Sequence, residues 1–241
     1  MIAFLASSLD LPNTKIVNPT NQFREQLKAA LPERAKVVFI ASAPDEASNN
    51  EAYARDVKED LKNAGFIFAS FVLLDRRNQS DAKMLLNEAD FLIFAGGHVP
   101  TQNKFFKNIR LRTRIKHFDG VILGLSAGSM NCADVVYAQP ELAGEAKSKR
   151  YKRFLSGLAI TKSNVLPHYQ YIKDETVDGF RCIEDLAFKD SYDRVIYAIC
   201  DGSYILQKDG QEIIYGEAYK IHQATITKIC ENEERYVISS L

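Results

Sequence analysis

Val121-Ile122-Leu123-Gly124-Leu125-Ser126-Ala127-Gly128 is the stretch on which the reading of this chain turns. A continuous apolar run such as Val121-Ile122-Leu123 gives a strand buried on both faces, and glycines two residues either side of Ser126 permit a sharp turn after it. A helix-compatible run follows, from Ala127 to Val136. G-x-S-x-G between strand and helix is the pattern of a nucleophile elbow. The backbone is strained at the serine and lifts its hydroxyl off the sheet, and the next N–H, that of Ala127, faces the open space. A serine that only caps a helix after a glycine-rich turn has the same local pattern, so the rest of the chain must decide.

Working outward, apolar runs and helix-like segments alternate. Met1 to Ser8 reads as a first strand; it lacks the basic leader of a signal peptide. Asn21 to Leu31 has helical spacing (Phe23, Leu27, Ala30) and is closed by Pro32. Val37 to Ala41 is a strand, and Ser48 with Glu51 forms a capping box opening a helix that ends at Gly65. Strand Phe66–Leu74, helix Ser80–Ala89, strand Phe91–Phe94 and a basic amphipathic helix Thr101–His117 lead back to Val121. Continuous apolar strands between helices predict an α/β fold, a doubly wound and mostly parallel sheet in three layers. After Arg194 the texture changes. Val195–Cys200, Tyr204–Gln207, Glu212–Tyr215 and Lys220–Ile229 read as short strands, with Asp209-Gly210 as a hairpin turn. They predict antiparallel strands that extend the edge of the same sheet. No repeat or linker divides residues 1–241, so a single domain is expected.

The 31 Lys and Arg balance 31 Asp and Glu, which argues against a nucleic-acid or acidic-membrane partner. No apolar stretch is long enough to span a membrane. Cys132, Cys182, Cys200 and Cys230 are widely separated, a usage that fits neither a zinc site nor a disulfide framework and suits a reducing cytoplasm. With four His and no His pair at ligand spacing, no metal is expected.

In a parallel sheet, loops leaving the carboxyl ends of neighbouring strands meet at one edge, where ligands bind. Ala95-Gly96-Gly97-His98 leaves the strand Phe91–Phe94, so the Gly97 N–H is a candidate second donor to an oxyanion beside Ser126. A serine nucleophile needs a base, usually His. His168, after Val165-Leu166-Pro167, emerges at a strand end and is favoured; His98 stands as the other candidate, or as a residue lining the site. His117 and His222 read as surface positions. The carboxylate that orients the base is assigned to Asp201, which follows the apolar run ending at Cys200; Asp134, Glu141 and Glu145 remain open by spacing.

Four stretches give the chain a resemblance to the peptidase E and cyanophycinase family of serine peptidases. They are Phe94-Ala95-Gly96-Gly97, Gly124 to Ser129, Leu166-Pro167-His168-Tyr169 and Cys200-Asp201-Gly202-Ser203. The resemblance implies a flavodoxin-like, class I glutamine amidotransferase-like fold. It also implies a triad of Ser126, His168 and Asp201 with oxyanion donors Gly97 and Ala127. The chain order Ser…His…acid differs from that of α/β-hydrolases, and the serine at the elbow differs from the cysteine of amidotransferase glutaminases. This chain departs from the family pattern in three places: His98 replaces a frequent Asn, Asp201 replaces Glu, and the arginine-bearing stretch thought to grip an aspartyl substrate is represented only by Arg181. The expectation is a serine peptidase-like hydrolase of a small peptide or amide, with an aspartyl dipeptidase-type activity as one form. It needs no cofactor, and a homodimer is an open expectation. An amidase or esterase with the same triad, and a catalytically silent small-ligand-binding protein of the same fold, are the alternatives.

Overall fold

The structure is a computed structural model and describes residues 1–12 and 14–239. Its first half alternates strands and helices: β1 (Ile2–Ala6), α1 (Phe23–Ala30), β2 (Ala35–Ile40), α2 (Ala47–Asn63), β3 (Phe68–Leu74), α3 (Ala82–Glu88) and β4 (Phe91–Phe94). Then come α4 (Val99–Asn108), α5 (Leu111–Arg114), β5 (Val121–Leu125) and α6 (Ala127–Met130). The second half carries β6 (Val135–Tyr137), β7 (Phe154–Ser156), β8 (Asn164–Leu166), α7 (Tyr169–Ile172), β9 (Thr176–Val177), β10 (Phe180–Arg181) and α8 (Phe188–Asp190). It closes with β11 (Ile196–Ile199), β12 (Tyr204–Lys208), β13 (Gln211–Tyr215), β14 (Ala218–His222), β15 (Thr225–Cys230) and β16 (Arg235–Ile238).

The main sheet has eight strands in the order β16-β13-β12-β1-β5-β4-β2-β3. From β1 to β3 all neighbours are parallel, whereas β12, β13 and β16 join antiparallel beyond β1. Burial alternates with the period of two that a strand imposes. Ala3 and Leu5 of β1 pack in one core with Phe105, Phe106 and Ile109, while Phe4 and Ala6 pack in another with Phe23, Leu27 and Leu61. Thus α1 and α2 cover one face, and α3, α4 and a second sheet cover the other. This is the three-layer α/β architecture expected.

Several local expectations need correction. The C-terminal strands do not all extend one edge: β11, β14 and β15 form a separate four-stranded sheet, in the order β15-β14-β11-β8. Lys220–Ile229 is two strands rather than one, turned at Gln223-Ala224 with both residues at positive φ. The helix Thr101–His117 begins at Val99 and breaks at Arg110, whose φ of 52° re-aims the chain so that Ile109, Leu111 and Ile115 all bury and Arg112 reaches Asp134. The helix at Ser48 starts at Ala47 with no side-chain cap; Asn50, not Ser48, holds its entry by donating to the Ala43 carbonyl. The helix after Ser126 lasts only to Met130. The carbonyls of Asn131 and Cys132 are taken by Leu158 and Ile160, and Asp134 N–H donates to Thr161, which draws the chain into the β7–β8 segment.

Candidate active site

Ser126 stands between β5 and α6 with φ 50° and ψ −110°, a sparsely populated conformation for a residue with a side chain. Close packing on both sides explains the flanking glycines. A Cβ on Gly124 would lie 2.7 Å from Ser129 N, and one on Gly128 would lie 2.3 Å from the Phe94 carbonyl. The turn is tied to β1 by the Ser126 N–H and the Ser129 hydroxyl, both donating to the Ala6 carbonyl, at 3.1 and 2.7 Å.

Beside it runs Gly96-Gly97. The Ser42 hydroxyl donates to the Gly96 carbonyl at 2.6 Å. In a trans peptide the C=O and the following N–H point in opposite directions, so this bond turns the Gly97 N–H away from Ser42. Gly97 and Ser126 line one cavity of about 320 Å³. Among the described residues, neither Gly97 N–H nor Ala127 N–H donates to a protein acceptor. Behind both loops lies a buried amide network in which Gln102 donates to Ala95 O, Asn131 to Gln102, and Asn103 to Asn131.

The second sheet supplies the other side of the cavity. β8 and β11 are parallel neighbours with Leu166 opposite Ala198, so the residues leaving their carboxyl ends emerge together. His168, itself at φ 59°, places Nδ1 2.7 Å from Asp201 Oδ1. Burial opposes the charge on Asp201, but hydrogen bonds from His168 and Ser7 outweigh it and hold the carboxyl below its ordinary pKa. Ser7, fully buried at the end of β1, joins the two sheets: its hydroxyl donates to Asp201 Oδ1 at 2.6 Å and accepts the His168 N–H at 2.8 Å. Ser126 and His168 line the same cavity without a direct hydrogen bond between them.

The remaining candidates separate cleanly. His98 has both ring nitrogens engaged, Nδ1 with Thr101 at 2.7 Å and Nε2 with Glu145 at 2.8 Å, and lies outside the cavity lining. Arg181 is forked on Asp185, with Nε 3.1 Å from Oδ2, and also lies outside the lining. Asp134 pairs with Arg112 and Glu145 with His98, whereas Glu141 lines the cavity. Cys182 lines it too, but burial and the charge of Glu175 push its thiol pKa up, which leaves it protonated and a poor nucleophile. Among the described residues no group of three or more His, Cys, Asp or Glu is placed to hold a metal ion. No described helix is long and apolar enough to cross a membrane.

Sequence reading missed Ser7, Ser42 and the amide network. Ser7 carried a usable signal, since it follows an apolar run as Ser126 does; Ser42 and the amides carried none without the tertiary fold.

Residues 3–215 match Peptidase family S51. No curated protein matches significantly. Among solved structures, a peptidase from an acI-B1 Actinobacterium superposes with a TM-score of 0.66 at 15% identity, over 98% of this chain and 96% of the other. A protein designated a candidate peptidase E from Listeria monocytogenes EGD-e gives a TM-score of 0.61 at 19% identity, over 88% and 96% of the two chains. At these identities the likeness is one of fold.

Proposed function

Since the chain belongs to Peptidase family S51, a family of serine peptidases, we propose that it hydrolyses a small peptide or amide through Ser126, His168 and Asp201. The observation that carries this reading is the 2.7 Å contact of His168 Nδ1 with an ionised Asp201, on a histidine that shares its cavity with Ser126. A carboxylate at Nδ1 fixes the proton there and leaves Nε2 as the acceptor. Nε2 takes the Ser126 proton as Oγ attacks the scissile carbonyl carbon. The carbonyl oxygen, now an anion, accepts from Gly97 and Ala127 N–H; loss of one such donor typically costs about a hundredfold or more. His168 then gives its proton to the leaving nitrogen as the C–N bond breaks, leaving an ester on Ser126. Water, deprotonated by His168, attacks that ester, and the released Ser126 oxygen recovers the proton. Asp201 stabilises the imidazolium at both steps and stays ionised throughout.

Labelling with a fluorophosphonate, which phosphonylates an activated serine whatever the natural substrate, tests the proposal. Labelling is expected at Ser126, lost in Ser126→Ala and slowed at least a hundredfold in His168→Ala. A wild-type protein that takes no label, or that labels equally without His168, sinks it.

A further inference from the structure

Among the Asp, Glu, Lys and Arg residues, those that line the cavity in front of Ser126 are of one sign only. Two carboxylates line it, Glu141 and Glu175, while none of the chain's 31 Lys and Arg residues does. The basic residues nearest in sequence to its walls do not line it: Arg181 is held by Asp185, and Lys173, next to the lining residue Ile172, is exposed and outside the lining. Neither lining carboxylate has an ion-pair partner among the described residues. Glu141 has only a long 3.4 Å contact from Val99 N–H, and Glu175 uses its backbone carbonyl, not its side chain, to accept from Cys182. The other walls are apolar or neutral, among them Val99, Met130, Leu166 and Tyr171.

We infer that the cavity takes a substrate whose acyl half carries a positive charge, an ammonium or guanidinium group, and turns away aspartyl substrates. This rests on the reading of Ser126 as nucleophile. A substrate carboxylate would meet Glu141 and Glu175 with no lining Lys or Arg to pair with it, whereas a cationic group supplies the ion-pair partner both now lack. Glu141 lies at the exposed rim of the cavity, where partial loss of solvent and the charge of Glu145 make its negative charge costly and push its carboxyl pKa upward, against the lowering effect of the His98 and His168 imidazoles and the Val99 N–H. A bound cation relieves that cost, so binding energy and charge placement act in the same direction. At these exposed rim positions each such charge contact is worth about a few-fold in affinity, and the two together on the order of tenfold.

The cation has two possible sources, a basic side chain or a free α-amino group next to the scissile carbonyl. Calorimetric titration of the Ser126→Ala protein with Lys-Ala, norleucyl-Ala and Asp-Ala, each with free or acetylated amino terminus, separates them. Lys-Ala binding about tenfold tighter than norleucyl-Ala assigns the side chain. A tenfold loss on acetylating norleucyl-Ala assigns the α-amino group. In either case Asp-Ala binds more weakly than norleucyl-Ala with the same amino terminus, and the preference falls about tenfold in the additional Glu141→Gln, Glu175→Gln background. Asp-Ala binding as tightly as Lys-Ala, indifference to both changes, or a preference that survives the double substitution overturns the inference. Fluorophosphonate labelling of the wild-type protein is read alongside. Labelled Ser126 with no cation preference removes only this inference, and unlabelled Ser126 with a cation preference removes only the catalytic reading.

Discussion

Replacing Ser7 by Ala tests how the site is held together. The Ser7 hydroxyl is fully buried, donates to Asp201 Oδ1 at 2.6 Å and accepts the His168 N–H at 2.8 Å. Without it the His168 N–H has no acceptor, and leaving a buried donor unpaired costs about 1–3 kcal/mol. Asp201 also loses one hydrogen bond to its charge, partly offset because His168 still donates to it. A net loss of about 2–3 kcal/mol is expected, which for a chain of this size lowers the melting temperature by roughly 4–12 °C. Catalysis should suffer through geometry. A misplacement near 1 Å costs about a hundredfold, so kcat/KM and the labelling rate of Ser126 should fall 10- to 100-fold, mostly in kcat. The pH dependence has a definite sign. Asp201 has a depressed folded-state pKa, so its contribution to stability is present above the ordinary carboxylate pKa and is lost as pH falls through the folded value. Ser7→Ala removes part of the depression, so the variant has less of this contribution to lose, and its stability deficit against the wild type should be largest above the ordinary carboxylate pKa and narrow as pH falls below it. Thermal melts from pH 3 to pH 7 and labelling kinetics supply both readouts. A variant with wild-type labelling and a melting temperature within a degree of the parent would refute the argument.

Three further substitutions have defined outcomes. Asp201→Asn keeps the shape but removes the charge and the preference for the Nδ1 proton, so the labelling rate should drop about 10³- to 10⁴-fold with the fold retained, measured by labelling kinetics and circular dichroism. Gly97→Ala places a Cβ 2.4 Å from Ser42 Oγ at a φ of 144°; labelling should fall about a hundredfold, and adding Ser42→Ala should recover only a small part, because the backbone strain stays. Glu141→Gln should raise the melting temperature at pH 7, since a carboxyl with a raised folded-state pKa destabilises the fold when ionised. The difference should vanish below the ordinary Glu pKa, as thermal melts across pH would show.

The strand-end residues were legible because they obey a rule that one sequence exposes: apolar run first, then Gly, Ser, His or Asp. Ser126, His168, Asp201 and Gly97 all satisfy it. What was not legible depends on contacts between distant segments. The run from Ala127 has helix-forming composition as far as Val136, yet the β7–β8 segment claims the carbonyls of Asn131 and Cys132 and ends the helix at Met130. Arg110 breaks a helix with no Gly or Pro to announce it, because tertiary burial of Ile109 and Leu111 decides the kink. Gln223-Ala224 turns a hairpin at positive φ without the Asn or Gly that marks such turns, so two strands read as one. Arg181 illustrates a different limit, since spacing showed an arginine but not the Asp185 four residues on that occupies it.

The two sheets explain why Ser7 holds more than its own place. His168 and Asp201 both leave the second sheet, where the pairing of Leu166 with Ala198 sets their separation. Ser126 and Gly97 leave the main sheet, where β4 and β5 are neighbours. Register therefore fixes each half of the site, but no register fixes one half against the other. Between β11 and β12 the segment containing Asp201 and Gly202 crosses from one sheet to the other, and Ser7 N–H donates to Ser203 O at its far end. Ser7 thus grips that crossing segment by its backbone and both second-sheet residues by its hydroxyl. Removing the hydroxyl should shift His168 and Asp201 together, preserving their mutual hydrogen bond while lengthening the reach from His168 to Ser126. A crystal structure of Ser7→Ala distinguishes this from local disorder. An intact 2.7 Å His168–Asp201 contact displaced as a unit supports it, and a broken contact with His168 unmoved against Ser126 would show that Ser7 orients the carboxylate alone.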